Sequence, residues 1–264
     1  MSAPDETSYA GRHAELYDLF YAEKPYAEEA AFVDKCIQTR QPGAVHLLEL
    51  ACGTGTHSLL LEKRGYKIVA TDYSPYMLAQ AREKARASHS SVDFRQQDMR
   101  ALNLPETSFD AAICLFDSLG YVATNQNITK VLNGIHKKLV PGGIFIFEFW
   151  HAGAMIRAYD PARVKRFDAA DSRITRISET TIDYQKQLCR VQYTIYETDS
   201  NGTCQVIHET QTNRFFLVQE MALFLENAGF EALAWHDGFT ESQQIDDSTW
   251  HILGVARKIR NMAS

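Results

Sequence analysis

Long apolar runs are missing from this sequence. No stretch of about 18 or more apolar residues occurs among its 264 residues, so we expect no membrane-spanning segment and no membrane partner. The first residues, MSAPDETSYAGRHAEL, are polar and contain no apolar core of a signal peptide. The sequence therefore predicts a cytoplasmic protein.

An excess of positive charge is also missing. The chain has 27 Lys and Arg residues against 33 Asp and Glu residues, a formal net charge of -6 at pH 7. Because a nucleic-acid-binding surface is usually basic, this balance argues against a nucleic-acid partner.

Cysteine and histidine are too scattered to indicate a metal site. The five cysteines are odd in number and no two have metal-ligand spacing, so we expect buried thiols. The histidines are dispersed along the chain, and we expect most of them, His251 included, to be structural or exposed. No metal is predicted.

Apolar runs alternate with amphipathic stretches through the middle of the chain. The runs predict strands at 44–50, 67–74, 92–99, 109–119 (with an exit loop) and 144–150. The stretches between them predict helices at 56–66, 74–87 and 125–140. Ser74 is the expected N-cap of the second helix, with Pro75 in its first turn. This alternation is typical of a parallel sheet with helices on both faces.

The two ends of the chain differ from this middle part. Residues 9–39 predict helix with a break at Pro25. Residues 163–216 are rich in Thr, Ile, Tyr and Val, and an Asn-Gly pair within them favours a tight antiparallel hairpin. A helix at 217–230 and a final antiparallel strand pair follow.

The expected fold is a doubly wound α/β domain with a mostly parallel, Rossmann-like seven-stranded sheet. It carries an antiparallel β insertion after the fifth strand. We expect one domain over 1–264, in which 1–42 form a helical lid. We expect 151–216 to form the insertion, which would be a substrate wall or the contact of a possible homodimer.

A glycine-rich turn between a strand and a helix carries the strongest functional signal. In LLELACGTGTH (47–57) the glycines Gly53 and Gly55 let the backbone approach a ligand closely. The third glycine of the dinucleotide pattern G-x-G-x-x-G is missing, and Glu49 precedes the loop instead. This combination resembles the cofactor loop of the class I S-adenosylmethionine (SAM) methyltransferases, and the loop alone leaves three alternatives open: SAM, a dinucleotide, or a tight turn without a ligand.

Two acids at the next strand ends favour the SAM alternative. Asp72 ends the second predicted strand, and its two carboxylate oxygens could accept both hydroxyls of a ribose. Nicotinamide enzymes use an acid at the same place, so Asp72 alone does not discriminate. Asp98 and Met99 end the third predicted strand in RQQDMRAL.

These motifs resemble those of a known enzyme family. The pattern E-x-x-C-G-T-G-T, with LVPGG before the fifth strand, resembles the class I SAM-dependent methyltransferases. The order of YDLFYAEKPYAEEA, DSLGYV, PGGIFIFEFW and LFLENAGF is most similar to that in one subgroup. That subgroup is the nucleotide-linked amino-sugar N,N-dimethyltransferases of macrolide-antibiotic pathways.

The resemblance implies roles for individual residues. Gly53 would contact the amino-acid part of SAM, Asp72 the ribose, and Asp98 with Met99 the adenine. Tyr21 would lie near the sulfonium and the methyl acceptor, Tyr17 and Tyr26 would cover the cofactor, and the segment from Leu115 to Tyr121 would face the methyl group. Further candidates for cofactor contact are Glu49, Ala51, Gly55, Thr56, Tyr73 and Met77.

The implied reaction is direct in-line methyl transfer to a small molecule, and the resemblance favours an amine acceptor such as an amino sugar nucleotide. Tyr121, where related enzymes carry histidine or tyrosine, and His151 are the two candidate bases. An O-methyltransferase, a nicotinamide-dependent oxidoreductase and a non-catalytic SAM-binding protein remain the alternatives.

Overall fold

The central element of the protein is a seven-stranded sheet. A computed structural model of the chain describes residues 9–259. The strands of this sheet are β1 (His46–Leu50), β2 (Lys67–Asp72), β3 (Asp93–Gln96), β4 (Phe109–Cys114), β5 (Leu139–Trp150), β10 (Phe230–Asp237) and β11 (His251–Lys258). They lie in the order β10-β11-β5-β4-β1-β2-β3. Only the pairs that include β11 are antiparallel, which confirms the predicted mostly parallel α/β fold.

Helices cover the sheet and connect its strands. They are α1 (Gly11–Phe20), α2 (Tyr26–Arg40), α3 (Thr56–Glu62), α4 (Pro75–Ala87), α5 (Asn125–Lys138), α6 (Ala152–Ala158) and α7 (Val218–Asn227). One large apolar cluster forms on each face of the sheet, since strands buried on both sides must be apolar throughout. Within residues 9–259, every helix is too short or too polar to span a lipid bilayer.

Local chemistry explains where several elements begin. Ser74 caps α4 by accepting from the Met77 amide, and Pro75 opens the helix, as the sequence predicts. The predicted strand at 92–99 is shorter, because Asp98 instead caps a 3-10 turn at Met99–Ala101. The fifth strand is longer than predicted and begins directly after α5.

The segment between β5 and α7 forms a separate antiparallel sheet. Its strands are β6 (Ala162–Asp168), β7 (Ser172–Asp183), β8 (Leu188–Asp199) and β9 (Cys204–Arg214), paired in chain order. The Asn201-Gly202 hairpin joins β8 to β9, with Gly202 at φ 84°. Four cysteines are buried as expected, but Cys204 is exposed because it begins β9 beside this turn.

Helix α1 connects the two sheets. Leu16 and Phe20 pack on Ile174 and Ile195 of the antiparallel sheet. On its other side, Tyr17 packs with Met77 of α4. This helix therefore lies above the carboxyl ends of the parallel strands, where α/β sheets bind ligands.

Candidate active site

A large cavity opens at the carboxyl ends of β1, β2 and β4. Its volume is about 720 Å³, within the range of small-molecule sites. Most of the predicted cofactor residues line it: Tyr17, Tyr26, Glu49, Ala51, Gly53, Thr56, Asp72, Tyr73, Met77, Asp98, Met99 and Leu115. The structure therefore brings together residues from several separate strand ends.

Asp72 organises the glycine loop. Its Oδ2 accepts from the Gly53 amide at 2.8 Å, and its Oδ1 accepts from the Ser74 amide at 2.8 Å. Gly53 and Ala51, two positions earlier, both have positive φ, 56° and 52°. A single carboxylate thus joins the loop after β1 to the turn after β2, and each oxygen keeps a further lone pair for a ligand.

Glu49 is a buried acid facing the same cavity. Its side chain accepts from the Ser58 hydroxyl, and only 2% of the residue is exposed. Burial raises the pKa of Glu49 to about 8, and the nearby Asp72 carboxylate adds to the rise. A cationic ligand in the cavity would favour the ionised form of this acid.

Asp98 is paired within its own turn. Its carboxylate accepts from the Arg100 amide at 2.9 Å and from the Arg100 guanidinium at 2.6 Å. Although partial burial opposes ionisation, these Arg100 contacts hold the pKa of Asp98 below its ordinary value. Asp98 therefore presents an ionised acceptor beside Met99 at the cavity wall.

Two tyrosine hydroxyls meet across the large cavity. Tyr9 and Tyr121 line it, and their hydroxyl oxygens are 2.5 Å apart. The Tyr9 carbonyl accepts from the Ser74 hydroxyl at 2.8 Å. Burial raises the pKa of Tyr121 well above its ordinary value, so this phenol remains protonated at neutral pH.

A second cavity of about 410 Å³ adjoins the first. Phe116, the second residue after β4, lines both. Tyr21 lines the second cavity, and its ring centroid lies 4.9 Å from that of Phe116 and 4.8 Å from that of Tyr17. The Lys24 ammonium lies 4.9 Å from the centre of the Phe116 ring, a geometry in which an aromatic face attracts a cation.

Two predicted residues line neither cavity. Gly55 lies under the loop, where an added Cβ would be 2.7 Å from the Phe94 ring, so its role is close packing at φ 77°. His151 is 8% exposed, and its Nδ1 lies 3.1 Å from the Thr249 carbonyl oxygen. Its role as a base remains a prediction.

Some lining residues were not predicted from the sequence. Arg190 and Gln211 reach the large cavity from β8 and β9 of the antiparallel sheet, and Tyr9 precedes α1. His251 and Glu148 line the second cavity. His251 was expected to be structural or exposed, but β11 lies beside β5 and brings it to this cavity. No sequence signal marks these residues, because their positions depend on how the two sheets meet.

Comparison with known proteins gives the family. A family model described as "Methyltransferase domain" matches residues 47–143. The dTDP-3-amino-3,4,6-trideoxy-alpha-D-glucopyranose N,N-dimethyltransferase of Streptomyces venezuelae is 30% identical over 190 residues, which cover 71% of this chain and 77% of that protein. The chain belongs to the SAM-dependent methyltransferases.

Two further methyltransferases are similar over most of the chain. The dTDP-4-amino-2,3,4,6-tetradeoxy-D-glucose N,N-dimethyltransferase of Saccharopolyspora spinosa is 28% identical over 232 residues, 86% of this chain and 89% of that protein. A SAM-dependent methyltransferase from Clostridium acetobutylicum has the same fold, with a TM-score of 0.81 at 21% identity; the match covers 94% of this chain and 98% of that one.

Membership in the methyltransferases identifies SAM as the cofactor, and the side chains that line the large cavity suit it. SAM carries a cationic sulfonium and an amino-acid group, and the cavity offers the carboxylates of Glu49 and Asp72 together with aromatic rings. The nicotinamide-dependent alternative is therefore wrong.

The raised pKa of Glu49 predicts that SAM binding releases protons. Glu49 is largely protonated in the empty methyltransferase at pH 7, and cationic SAM should favour its ionised form. Calorimetry at pH 7 in two buffers of different ionisation enthalpy should show net proton release. We expect Glu49→Gln to remove most of it and to weaken binding about ten-fold, the equivalent of roughly 1.4 kcal/mol.

Thermal unfolding gives a second measurement on the same variant. The folded protein retains the Glu49 proton up to about pH 8, whereas the ordinary pKa is 4.5. Wild-type stability should therefore fall relative to Glu49→Gln as pH rises from about 5 to 8. Glu231→Gln, at an exposed position, is the matched control. If the melting temperatures of wild type and Glu49→Gln change with pH in the same way, the raised pKa of Glu49 is contradicted.

Proposed function

We propose that this methyltransferase transfers the methyl group of SAM to the amine of a nucleotide-linked amino sugar. The observation that carries the proposal is the junction at Phe116, where the large cavity adjoins the second cavity. The similarity to two dTDP-amino-sugar N,N-dimethyltransferases over most of the chain favours this acceptor class.

The proposed cofactor contacts follow the walls of the large cavity. Asp72 accepts from the ribose, Asp98 and the Met99 amide pair with adenine, and Glu49 faces the cationic end of SAM. The side chains Tyr17 and Tyr26 cover the site from α1 and α2. Sulfonium methyl transfer needs alignment of the reacting atoms more than covalent assistance, so rigid walls of this kind suit the reaction.

The antiparallel sheet supplies the proposed acceptor wall. Its residues line the large cavity, among them Leu188, Arg190 and Gln211. Arg190 offers a guanidinium fork that suits a diphosphate. By contrast, Arg157 and Arg163 pair with Asp247 and Asp160 on exposed surfaces.

Two expectations from the sequence remain predictions. One is the helical lid over 1–42, whose residues 1–8 lie outside the described part, and the other is the homodimer.

Turnover of an acceptor panel tests the function. Purified protein is incubated with SAM and dTDP-linked amino sugars, matched sugars with a hydroxyl in place of the amine, and simple amines, and methylated products are measured by mass spectrometry. We expect the nucleotide-linked amines to react fastest. Preference for the hydroxyl compounds would overturn N-methylation, and SAM binding without any product would overturn the catalytic function.

Removal of Arg190 should weaken acceptor recognition. We expect Arg190→Ala to raise KM for a dTDP-linked amino sugar about ten-fold, the equivalent of one charge-assisted contact of roughly 1.4 kcal/mol. KM for SAM should stay within about two-fold. Arg163→Ala, at an exposed ion pair that lines neither cavity, should match wild type. An unchanged acceptor KM for Arg190→Ala would exclude the diphosphate contact.

A further inference from the structure

Three polar side chains form a compact group at the second cavity. The His251 Nδ1 lies 2.8 Å from Asp117 Oδ2 and 3.5 Å from Glu148 Oε1. Asp117 and Glu148 are each 3% exposed, whereas the His251 side chain is 45% exposed. Because Asp117 occupies Nδ1, the Nε2 atom of His251 is the nitrogen left for a ligand in the cavity.

The backbone that carries Asp117 is held in a strained conformation. Phe116 and Asp117 are consecutive non-glycine residues with φ of 57° and 55°, a region that costs of order 1–3 kcal/mol per residue. The Phe116 amide donates to Glu148 Oε2 at 2.7 Å, and the Asp117 carbonyl accepts from Asn213 Nδ2 at 3.1 Å. These contacts hold the Asp117 carboxylate toward His251.

One buried atom in this group has no protein partner. Among the described residues, Asp117 Oδ1 is a buried side-chain oxygen without a hydrogen bond. Leaving a carboxylate oxygen unpaired costs free energy, so packing alone does not explain the arrangement. Strain and an unpaired acceptor directly behind residues that line a cavity are typical of a functional site.

We propose that His251, oriented by Asp117 and Glu148, is a catalytic residue that takes the proton from the nucleophile of the methyl acceptor. This inference rests on the proposed function, since it places the acceptor nitrogen in the second cavity, across Phe116 from the cofactor site. An orienting carboxylate behind an imidazole is the arrangement that fixes a histidine base in other enzymes.

The step balances without an added reagent. The nitrogen lone pair forms the new N–C bond while the S–C bond breaks, and its electron pair stays on sulfur. The proton that the acceptor nitrogen loses passes to His251 Nε2. The imidazolium formed is stabilised by Asp117 at 2.8 Å, and later gives its proton to water.

The charges around His251 set its pH range. Asp117 from the β4 exit and Glu148 from β5 raise the pKa of His251 to about 9, although partial burial and the Lys24 ammonium oppose this rise. Glu29 of α2 and Lys165 of β6 also line the cavity. His251 therefore becomes a neutral base mainly as pH rises toward 9.

The test compares pH profiles of His251→Gln and wild type. Glutamine can keep a hydrogen bond to Asp117 but cannot accept the proton. With SAM and a dTDP-linked amino sugar, we expect kcat at pH 9 to fall about 100-fold, with KM for SAM within about two-fold of wild type. The deficit should shrink toward pH 7, because His251 of the wild type is then protonated and cannot accept the proton.

A second variant and a matched control separate catalysis from structure. Asp117→Asn should move the ascending, acid limb of the kcat profile to lower pH, because removal of its charge lowers the pKa of His251. His208→Ala, an exposed histidine of the antiparallel sheet, should match wild type at every pH. Circular dichroism checks that each variant is folded.

The outcomes distinguish this inference from the proposed function. An active wild type with a His251→Gln variant of the same kcat and pH profile overturns only the role of His251. If the wild type methylates a hydroxyl acceptor instead, the amine is wrong and the same comparison is made on that acceptor. Loss of activity in EDTA that Mg²⁺ restores would overturn the proton role, since the group would then be a metal site. A wild type that methylates nothing overturns both.

Discussion

Replacement of Asp72 by alanine is expected to raise the Kd for SAM about 1,000-fold. The carboxylate holds the Gly53 and Ser74 amides at 2.8 Å each, and we place the ribose hydroxyls on its remaining lone pairs. Hydrogen bonds to a charged group contribute roughly 1.5–3 kcal/mol each. Asp72→Ala removes several of these hydrogen bonds, so the loop loses its order and the ligand loses its contact. Together these losses correspond to about 4 kcal/mol, or the 1,000-fold change in Kd.

Isothermal titration calorimetry with SAM measures this effect. Asp72→Asn keeps one acceptor oxygen and the shape, so its Kd should lie between those of wild type and Asp72→Ala. Asp171→Asn changes an exposed carboxylate near the β6–β7 turn and should bind like wild type. A Kd for Asp72→Ala within ten-fold of wild type would show that the carboxylate does not hold the cofactor.

Substitution of Gly120 by alanine should destabilise the protein by about 3 kcal/mol, the upper part of the usual range for overpacking. Gly120 lies in the turn after β4, and an added Cβ would be 1.7 Å from Asn213 Oδ1 and 2.6 Å from the Arg214 carbonyl oxygen. Both neighbours belong to β9, so relief of the clash must separate the antiparallel sheet from the central sheet. We expect Tm to fall by about 6–12 °C.

Differential scanning calorimetry should contrast this variant with Gly134→Ala. Gly134 lies within α5, and its added Cβ would be 3.6 Å from Leu102, an ordinary contact. Alanine in a helix interior is favoured over glycine by about 0.5–1 kcal/mol, so Tm should rise by about 1–4 °C. Equal melting temperatures for Gly120→Ala and wild type would mean that β9 can move at little cost.

The sequence predicts which residues meet at the large cavity because these residues are local to strand ends. Gly53, Asp72 and Asp98 each follow or end a parallel strand, and parallel strands bring their carboxyl ends to one edge of the sheet. The pattern of apolar runs is therefore sufficient to group these residues. The antiparallel insertion was predictable for the same reason, since its Asn201-Gly202 turn is a local signal.

The second cavity was not predictable from the sequence. His251 meets Asp117 across 134 positions, because β11 lies between β10 and β5 in the sheet, and no local pattern specifies that place. Arg190 reaches the cofactor cavity only because α1 and the β4 exit hold the antiparallel sheet close to the core. Contacts between residues so far apart in the sequence depend on how the sheets and helices pack. The local sequence around either residue does not reveal that packing.

The tyrosine pair across the large cavity has a kinetic consequence. Tyr9 bonds to Ser74 through its carbonyl oxygen and to Tyr121 through its hydroxyl, and these three residues line the large cavity in which we place SAM. Ligand exchange must then wait for these two hydrogen bonds to break. Departure of the spent, demethylated cofactor, rather than the chemical step, is expected to limit the steady rate, and a pre-steady-state burst of methylated product would reveal it.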